Sequence, residues 1–491
     1  MEISQEDVVG FVGNVFCKRV QIVKRLLSYV DINWLVEESE TGFNYVCKIL
    51  KNRALEEKNS KIKQQIDCVL HLKKHGFKCS EFVAGKDGSF LQTYKYTGLD
   101  GQSFSLLGFL YSFIPGTELE STGCVNECAV IFELGMLLGH FHHTLKDLPH
   151  DNLLPDLEEP WYMSNIGLLS DMEYLQVIED GPQRIRLKAM IEEIDSTFSA
   201  VQDRLSKGIL HGDFHGYNLI VEHSFNSQMR RCSLKSNILK EFKALKEELR
   251  IKNNPSSLPS FASILQQKCN RPSFEEILET YGIIDYGEVS FSFIVLEVGR
   301  LIVDLMTIVL SKPPKEEGVD VCKYPVYFES DVSEQLHREV CVREPSKNEH
   351  IPISENSITN CTKDSVQSCE ARTKIPKGES AKQTKLMKTD KESRTEHFLR
   401  DVVGLGGVAL SGYLLTNTLT DVDISILKAS VMSSLIQYYI LGTKAMAEQP
   451  ENSQYVGLGA AEAERLLWVI DSMSQNELHQ AWIESAIIFL T

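Results

Sequence analysis

The stretch His211-Gly212-Asp213-Phe214-His215-Gly216-Tyr217-Asn218-Leu219-Ile220 decides the fold when read together with Ile284-Asp285-Tyr286-Gly287. Apolar Gly208-Ile209-Leu210 leads into the first stretch and Gly282-Ile283-Ile284 into the second, so each acidic loop follows a short buried strand. Each piece alone is also an ordinary turn. Their order is what phosphoryl transfer needs: one carboxylate to take a hydroxyl proton, and oxygen ligands to hold a divalent ion between nucleotide phosphates. Asp213 is the candidate proton acceptor, His211 the brace of its loop, and Asn218 with Asp285 the candidate metal ligands.

The His-Gly-Asp-x4-Asn spacing resembles the aminoglycoside phosphotransferase and choline kinase branch of the kinase-like fold. Further segments are similar to the hydroxylysine kinases: Ser28-Tyr29-Val30-Asp31-Ile32-Asn33-Trp34, Tyr45-Val46-Cys47-Lys48-Ile49, Leu296-Glu297-Val298, Gln449-Pro450-Glu451-Asn452 and Ala481-Trp482-Ile483-Glu484-Ser485-Ala486. The resemblance implies an α+β, two-lobed protein-kinase-like fold. It has a small β-sheet-plus-helix N-lobe over 1–115 and a larger, mainly helical C-lobe over 116–310 and 397–491. Two inserts interrupt the larger lobe, at about 223–280 and over 311–396, the second expected to be disordered. The resemblance also implies Mg2+, GTP as phosphoryl donor with ATP as the alternative, and the hydroxyl of 5-hydroxy-L-lysine as acceptor.

In the first lobe Lys48 sits on an alternating strand, where a lone Lys usually faces solvent. The resemblance gives it the phosphate-gripping role instead. The turn from Ser28 to Asn33 would cover the phosphates with backbone N–H groups and the Ser28 hydroxyl, although Val30 and Ile32 stand where the family carries Asp and Gln. A helix over 61–75 buries Ile62, Ile66, Val69, Leu70 and Leu72 and closes at Gly76. Counting back from His75-Gly76-Phe77 puts the family's Lys-pairing Glu on Lys63, a reversal of charge, with Glu56 or Glu57 as substitutes. Phe109 to Gly116 ends a strand in Pro-Gly and reads as the hinge, where Tyr111 and Phe113 would flank the nucleotide base.

In the second lobe a helix over 127–145 carries His140, His142 and His143, whose spacing does not place all three on one face for a metal. Ser236 to Ile251 reads as helical, and Ser273 to Tyr281 as a short helix capped by Ser273. On the helix expected over 291–310, Glu297, Arg300 and Asp304 are spaced for ion pairing. Glu297 could alternatively fix the metal-binding turn or face substrate amino groups. The uncharged runs 402–420 and 429–443 read as buried helices, since glycines, Ser411 and Asn417 dilute the first below a membrane span.

With 491 residues, 43% of them hydrophobic, the chain can bury two lobes. The net charge of −17 argues against nucleic-acid binding, which needs a basic face, and suits a cationic small substrate. Twelve cysteines without paired CxxC spacing and no apolar N-terminal signal point to reduced thiols, a cytoplasmic location and no membrane partner. Cys124 and Cys128 read as packing residues. Three alternatives stay open: a kinase of another amino alcohol, a binding protein that keeps the fold with impaired catalysis, and a metal-dependent hydrolase ligated by His211, Asp213 and His215.

Overall fold

The computed structural model describes residues 3–26, 31–50, 57–97, 103–154, 158–222, 257–268, 275–311, 379–450, 457 and 459–490. The chain divides into two compact units, Met1–Tyr324 with Leu399–Thr491, and Pro325–Phe398. The architecture below belongs to the first unit, except for residues 379–398 at the start of one helix, which fall in the second.

Ser4 caps α1 (Gln5–Phe16): its hydroxyl accepts from the Asp7 N–H, while the Asp7 carboxylate accepts from the Ser4 N–H. Val8, Phe11 and Val12 follow at helical spacing and pack on one face of an antiparallel sheet, against Val36, Cys47, Ile49 and Leu110. The sheet is built from β1 (Val20–Leu26), β2 (Ile32–Glu38) and β3 (Asn44–Leu50). The chain then runs through α2 (Glu57–Lys74), β4 (Lys78–Cys79), β5 (Phe82–Val83), β6 (Gln92–Thr97) and β7 (Ser103–Ser112). Strand order is β1-β2-β3-β7-β5, with β6 also on β7. Because side chains alternate along β3, Cys47 and Ile49 face α1, whereas Lys48 and Leu50 face the other side. That second face is also covered. Leu50 and Leu107 pack there against Ile62 and Ile66 of α2, so Lys48 is interior and only 7% exposed.

After the hinge come β8 (Thr117–Glu118), α3 (Leu119–Thr122), α4 (Cys128–Leu145), α5 (Met172–Leu175) and α6 (Gly181–Val201). The chain continues as β9 (Lys207–Leu210), β10 (Leu219–Val221), α7 (Leu258–Lys268), α8 (Glu275–Thr280), β11 (Tyr281–Ile283), β12 (Ser290–Phe293) and α9 (Ile294–Ser311). The remaining helices are α10 (Glu379–Thr416), α11 (Asp421–Ser425), α12 (Leu427–Glu448), α13 (Ala460–Ser472) and α14 (Gln475–Leu490). Two short antiparallel pairings aim the loops that matter. Leu210 of β9 stands opposite Ser290 of β12, and Leu219 of β10 opposite Ile283 of β11. β4 runs parallel to β11, with Cys79 opposite Ile283, which ties the small lobe to the segment that carries the second acidic loop.

Several expectations shift. The expected disordered insert over 311–396 is helical from Glu379 onward, so helix begins before the boundary at 397; residues 312–378 lie outside the described ones. The helix expected from Phe291 starts at Ile294, because Ser290–Phe293 pairs with β9. A short helix does precede β11, as α8, while its expected cap Ser273 and the segment 236–251 lie outside the described residues. Phe398–Thr416 is long and apolar enough to cross a bilayer by length and composition, and 72% of its most apolar stretch is buried in the protein. A side chain at Gly135 of α4 would collide with the Ala409 carbonyl of α10, so these two helices touch backbone to backbone.

Candidate active site

His211 follows β9 directly and is fully buried. Its Nε2 donates to the Ile284 carbonyl at 3.0 Å, and its Nδ1 accepts the Asp213 N–H at 3.3 Å. The Ile284 N–H in turn donates to the Asn218 carbonyl at 3.0 Å. These bonds lash the two acidic loops together, so Asp213 and Asp285 face one cleft of about 360 Å³, the size of a small-molecule site. Gly212 turns the first loop at φ +84°, and a Cβ there would strike the Glu288 carbonyl. Asp285 itself adopts a left-handed conformation, φ 56° and ψ 69°, which a short polar side chain tolerates.

Asp213 is 46% exposed to the cleft, and Asn218 Nδ2 donates to both its carbonyl and its Oδ2, each at 2.8 Å. His215 Nε2 lies 3.2 Å from the same Oδ2. Burial acts to raise the Asp213 pKa, but His215, with His211 and Arg300, outweighs it and holds the carboxyl well below the usual range. Desolvation lowers the His215 pKa, and Asp213, with Asp304 and Glu120, more than reverses this, to about 9. The Tyr217 N–H aimed at His215 Nδ1 opposes that second proton.

Lys48 Nζ contacts Asp285 Oδ1 at 2.8 Å and Asp31 Oδ2 at 3.5 Å. Desolvation pulls its pKa down, yet Asp285, Tyr111 and Asp31 overcome that and keep the ammonium charged. The charge of Lys48 is likewise the main reason the Asp285 carboxyl is lowered.

Glu297 of α9 is fully buried and faces no substrate space. It accepts from the His211 N–H at 3.1 Å, the Gly212 N–H at 2.6 Å and His142 Nε2 at 2.6 Å, with Tyr413 hydroxyl on the other side of that imidazole. Of the roles open to it, anchoring a site loop is the one its contacts match, and the loop anchored is that of Asp213. The expected ion pairing along α9 is overturned. Glu297 holds the loop, Arg300 Nη2 donates to Gln437 Oε1 at 2.6 Å, and Asp304 accepts from the Tyr438 hydroxyl.

The sequence expectation at α2 is also corrected. Lys63 is exposed, so its charge does not oppose Lys48; Gln65 faces the cleft instead and donates to the Gly287 and Val289 carbonyls at 2.8 and 3.3 Å. Ser28, Val30 and Glu56 lie outside the described residues. Asn33 was expected in a loop but sits in β2 opposite Lys48, and neither it nor Phe113 lines the cleft. Ile32 is core, which explains an apolar residue there. Tyr111 lines the inner cleft beside Lys48 and Asp285.

Asp285 is 44% exposed, and with Asn218 it offers oxygen donors, the hard ligands that magnesium prefers. A hydrolase centre on His211, Asp213 and His215 does not fit, since His211 spends both ring nitrogens on the loops; among the described residues no three His, Cys, Asp or Glu side chains converge as a metal cluster. Sequence reasoning missed Asp31 and Gln65, whose roles no local pattern signals, and read His215 only as a metal ligand.

Residues 24–229 match the model of the Phosphotransferase enzyme family (APH). Hydroxylysine kinase of Danio rerio is 24% identical over 222 residues, which cover 45% of this chain and 61% of that protein. Hydroxylysine kinase of Mus musculus is 20% identical over 311 residues, covering 62% and 69%. The match thus spans less than two thirds of the Danio rerio relative. Among solved structures, amicoumacin kinase hAmiN in complex with AMP-PNP, Ca2+ and Ami superposes with a TM-score of 0.49 and 13% identity over 97% of each chain.

Proposed function

Because residues 24–229 carry a phosphotransferase family sequence, we propose that this protein is a small-molecule kinase that moves the γ-phosphate of a nucleotide to an acceptor hydroxyl. The observation that carries the reading is the shared cleft: Asp213, Asp285 and Lys48 line one space although they come from three distant segments. Asp213, kept ionised by its surroundings, takes the acceptor proton, and Asn218 with His215 fixes its orientation. His211 and Glu297 hold the loop, and Lys48 steadies the non-transferred phosphates. Asn218 and Asp285 would hold Mg2+, which when bound neutralises phosphate charge. The distant likeness to hydroxylysine kinases supports 5-hydroxy-L-lysine as acceptor; for the donor we propose GTP, with ATP as the alternative. Free thiols among the described cysteines suit a cytoplasmic setting.

The test is nucleotide consumption by the full chain with 5-hydroxy-L-lysine, choline, ethanolamine and an aminoglycoside, each with GTP and with ATP. Turnover is expected with the hydroxylated amino acid and lost in Asp213→Asn. Turnover equal to the Asp213→Asn control for every pair would refute a kinase.

A further inference from the structure

The same cleft is bounded by α9 and α12 and carries a buried arginine and a buried aspartate that have no direct role in the phosphoryl chemistry assigned above. Arg300 is 6% exposed and Asp304, one helical turn on, is 4% exposed, and both line the cleft. Each keeps one polar atom without a hydrogen bond to any described residue, Nε on Arg300 and Oδ2 on Asp304. Their spacing permits a mutual ion pair, but the two side chains are held apart. Gln437 takes the Arg300 Nη2, and the Tyr438 hydroxyl takes the other Asp304 oxygen. The guanidinium lies over the Tyr438 ring at 4.9 Å and near the Trp161 ring at 5.9 Å. Buried charged groups left short of a partner are costly, so such a pair is expected to receive a ligand of matching polarity.

We propose that Arg300 and Asp304 receive the head of a free α-amino acid, the carboxylate on Arg300 and the α-ammonium on Asp304, with the rest of the acceptor extending toward Asp213. This rests on the kinase reading, which makes Asp213 the reacting end. Arg300 is near enough to lower the Asp213 pKa, and Asp213 near enough to raise that of Asp304, so head site and base share one electrostatic neighbourhood. Burial pushes Asp304 to about 7 against the pull of His215, Arg300 and Tyr438; an ammonium beside it restores the ionised form. Glu120 and Glu159 also line this cleft. The arrangement selects amino acids over amino alcohols, which lack the carboxylate.

The test is calorimetric binding to the full-length protein of 5-hydroxy-L-lysine and of its decarboxylated counterpart, the diamine with the same hydroxyl and no carboxylate. The wild type should bind the amino acid tighter by roughly 100-fold or more, because the diamine leaves the guanidinium unpaired. Arg300→Met should bring the amino acid down to the level of the diamine while nucleotide-induced thermal stabilisation persists. Arg300→Lys, which keeps charge without the planar fork, should retain part of the preference. The proposal is overturned if the wild type binds both equally or neither, or if the preference survives Arg300→Met. The wild-type comparison needs no variant to fold. Turnover in Asp213→Asn judges the kinase reading separately.

Discussion

Lys48 Nζ lies 2.8 Å from Asp285 Oδ1, so the lysine of β3 is paired across the chain with the acid of the second loop. Asp31 supplies the second carboxylate at 3.5 Å. Replacing Lys48 by Met removes one preorganised phosphate contact and leaves two acids facing each other. Turnover should fall by roughly 10²-fold or more, with a raised KM for nucleotide. Steady-state kinetics at varied nucleotide check this, and an unchanged nucleotide KM would remove the phosphate role.

Glu297→Gln should weaken the fold and the reaction together. The amide retains one acceptor oxygen for three donors, so about 1–3 kcal/mol of stability is expected to go, as for a buried charged hydrogen bond. Turnover should drop while both KM values stay near wild type, since Glu297 touches the catalytic loop and neither ligand. Urea denaturation beside kinetics reads both effects.

Gly212→Ala tests the geometry of the same loop. Alanine strains the backbone at φ +84° and its Cβ meets the Glu288 carbonyl, so a loss of about 1–3 kcal/mol and displacement of Asp213 are expected. Thermal denaturation and turnover should both suffer; a fully active, equally stable variant would mean the loop has another conformation.

Asp304 predicts a pH dependence. Its folded pKa of about 7 lies above the ~3.9 of an unfolded aspartate, so the folded state holds the proton more tightly. The associated stabilisation is complete below about pH 4 and is lost as pH rises toward 7. Melting temperatures of the wild type should therefore fall relative to Asp304→Asn across that interval and run parallel above it. Parallel curves throughout would place the carboxyl in a solvated setting.

The parts legible in the sequence were those written in local order. The two acidic loops stand out because apolar triplets precede them and glycines turn them, and β9 and β11 form where those triplets lie. The partner of Lys48 was not legible, because which face of α2 meets the sheet depends on packing around Leu50, Ile62 and Ile66 rather than on a count from Gly76. Spacing on α9 misled for a similar reason. An i, i+4 pattern describes neighbours on one helix, whereas Arg300 and Asp304 found partners on α12.

The left-handed turn at Asp285 narrows what that position can be. Glycine and, less readily, asparagine and aspartate are the residues that favour such a backbone, and of these three only aspartate carries a negative charge. Drift to glutamate would disturb the chain path before any chemistry was tried, whereas asparagine would leave the path intact and silence the charge.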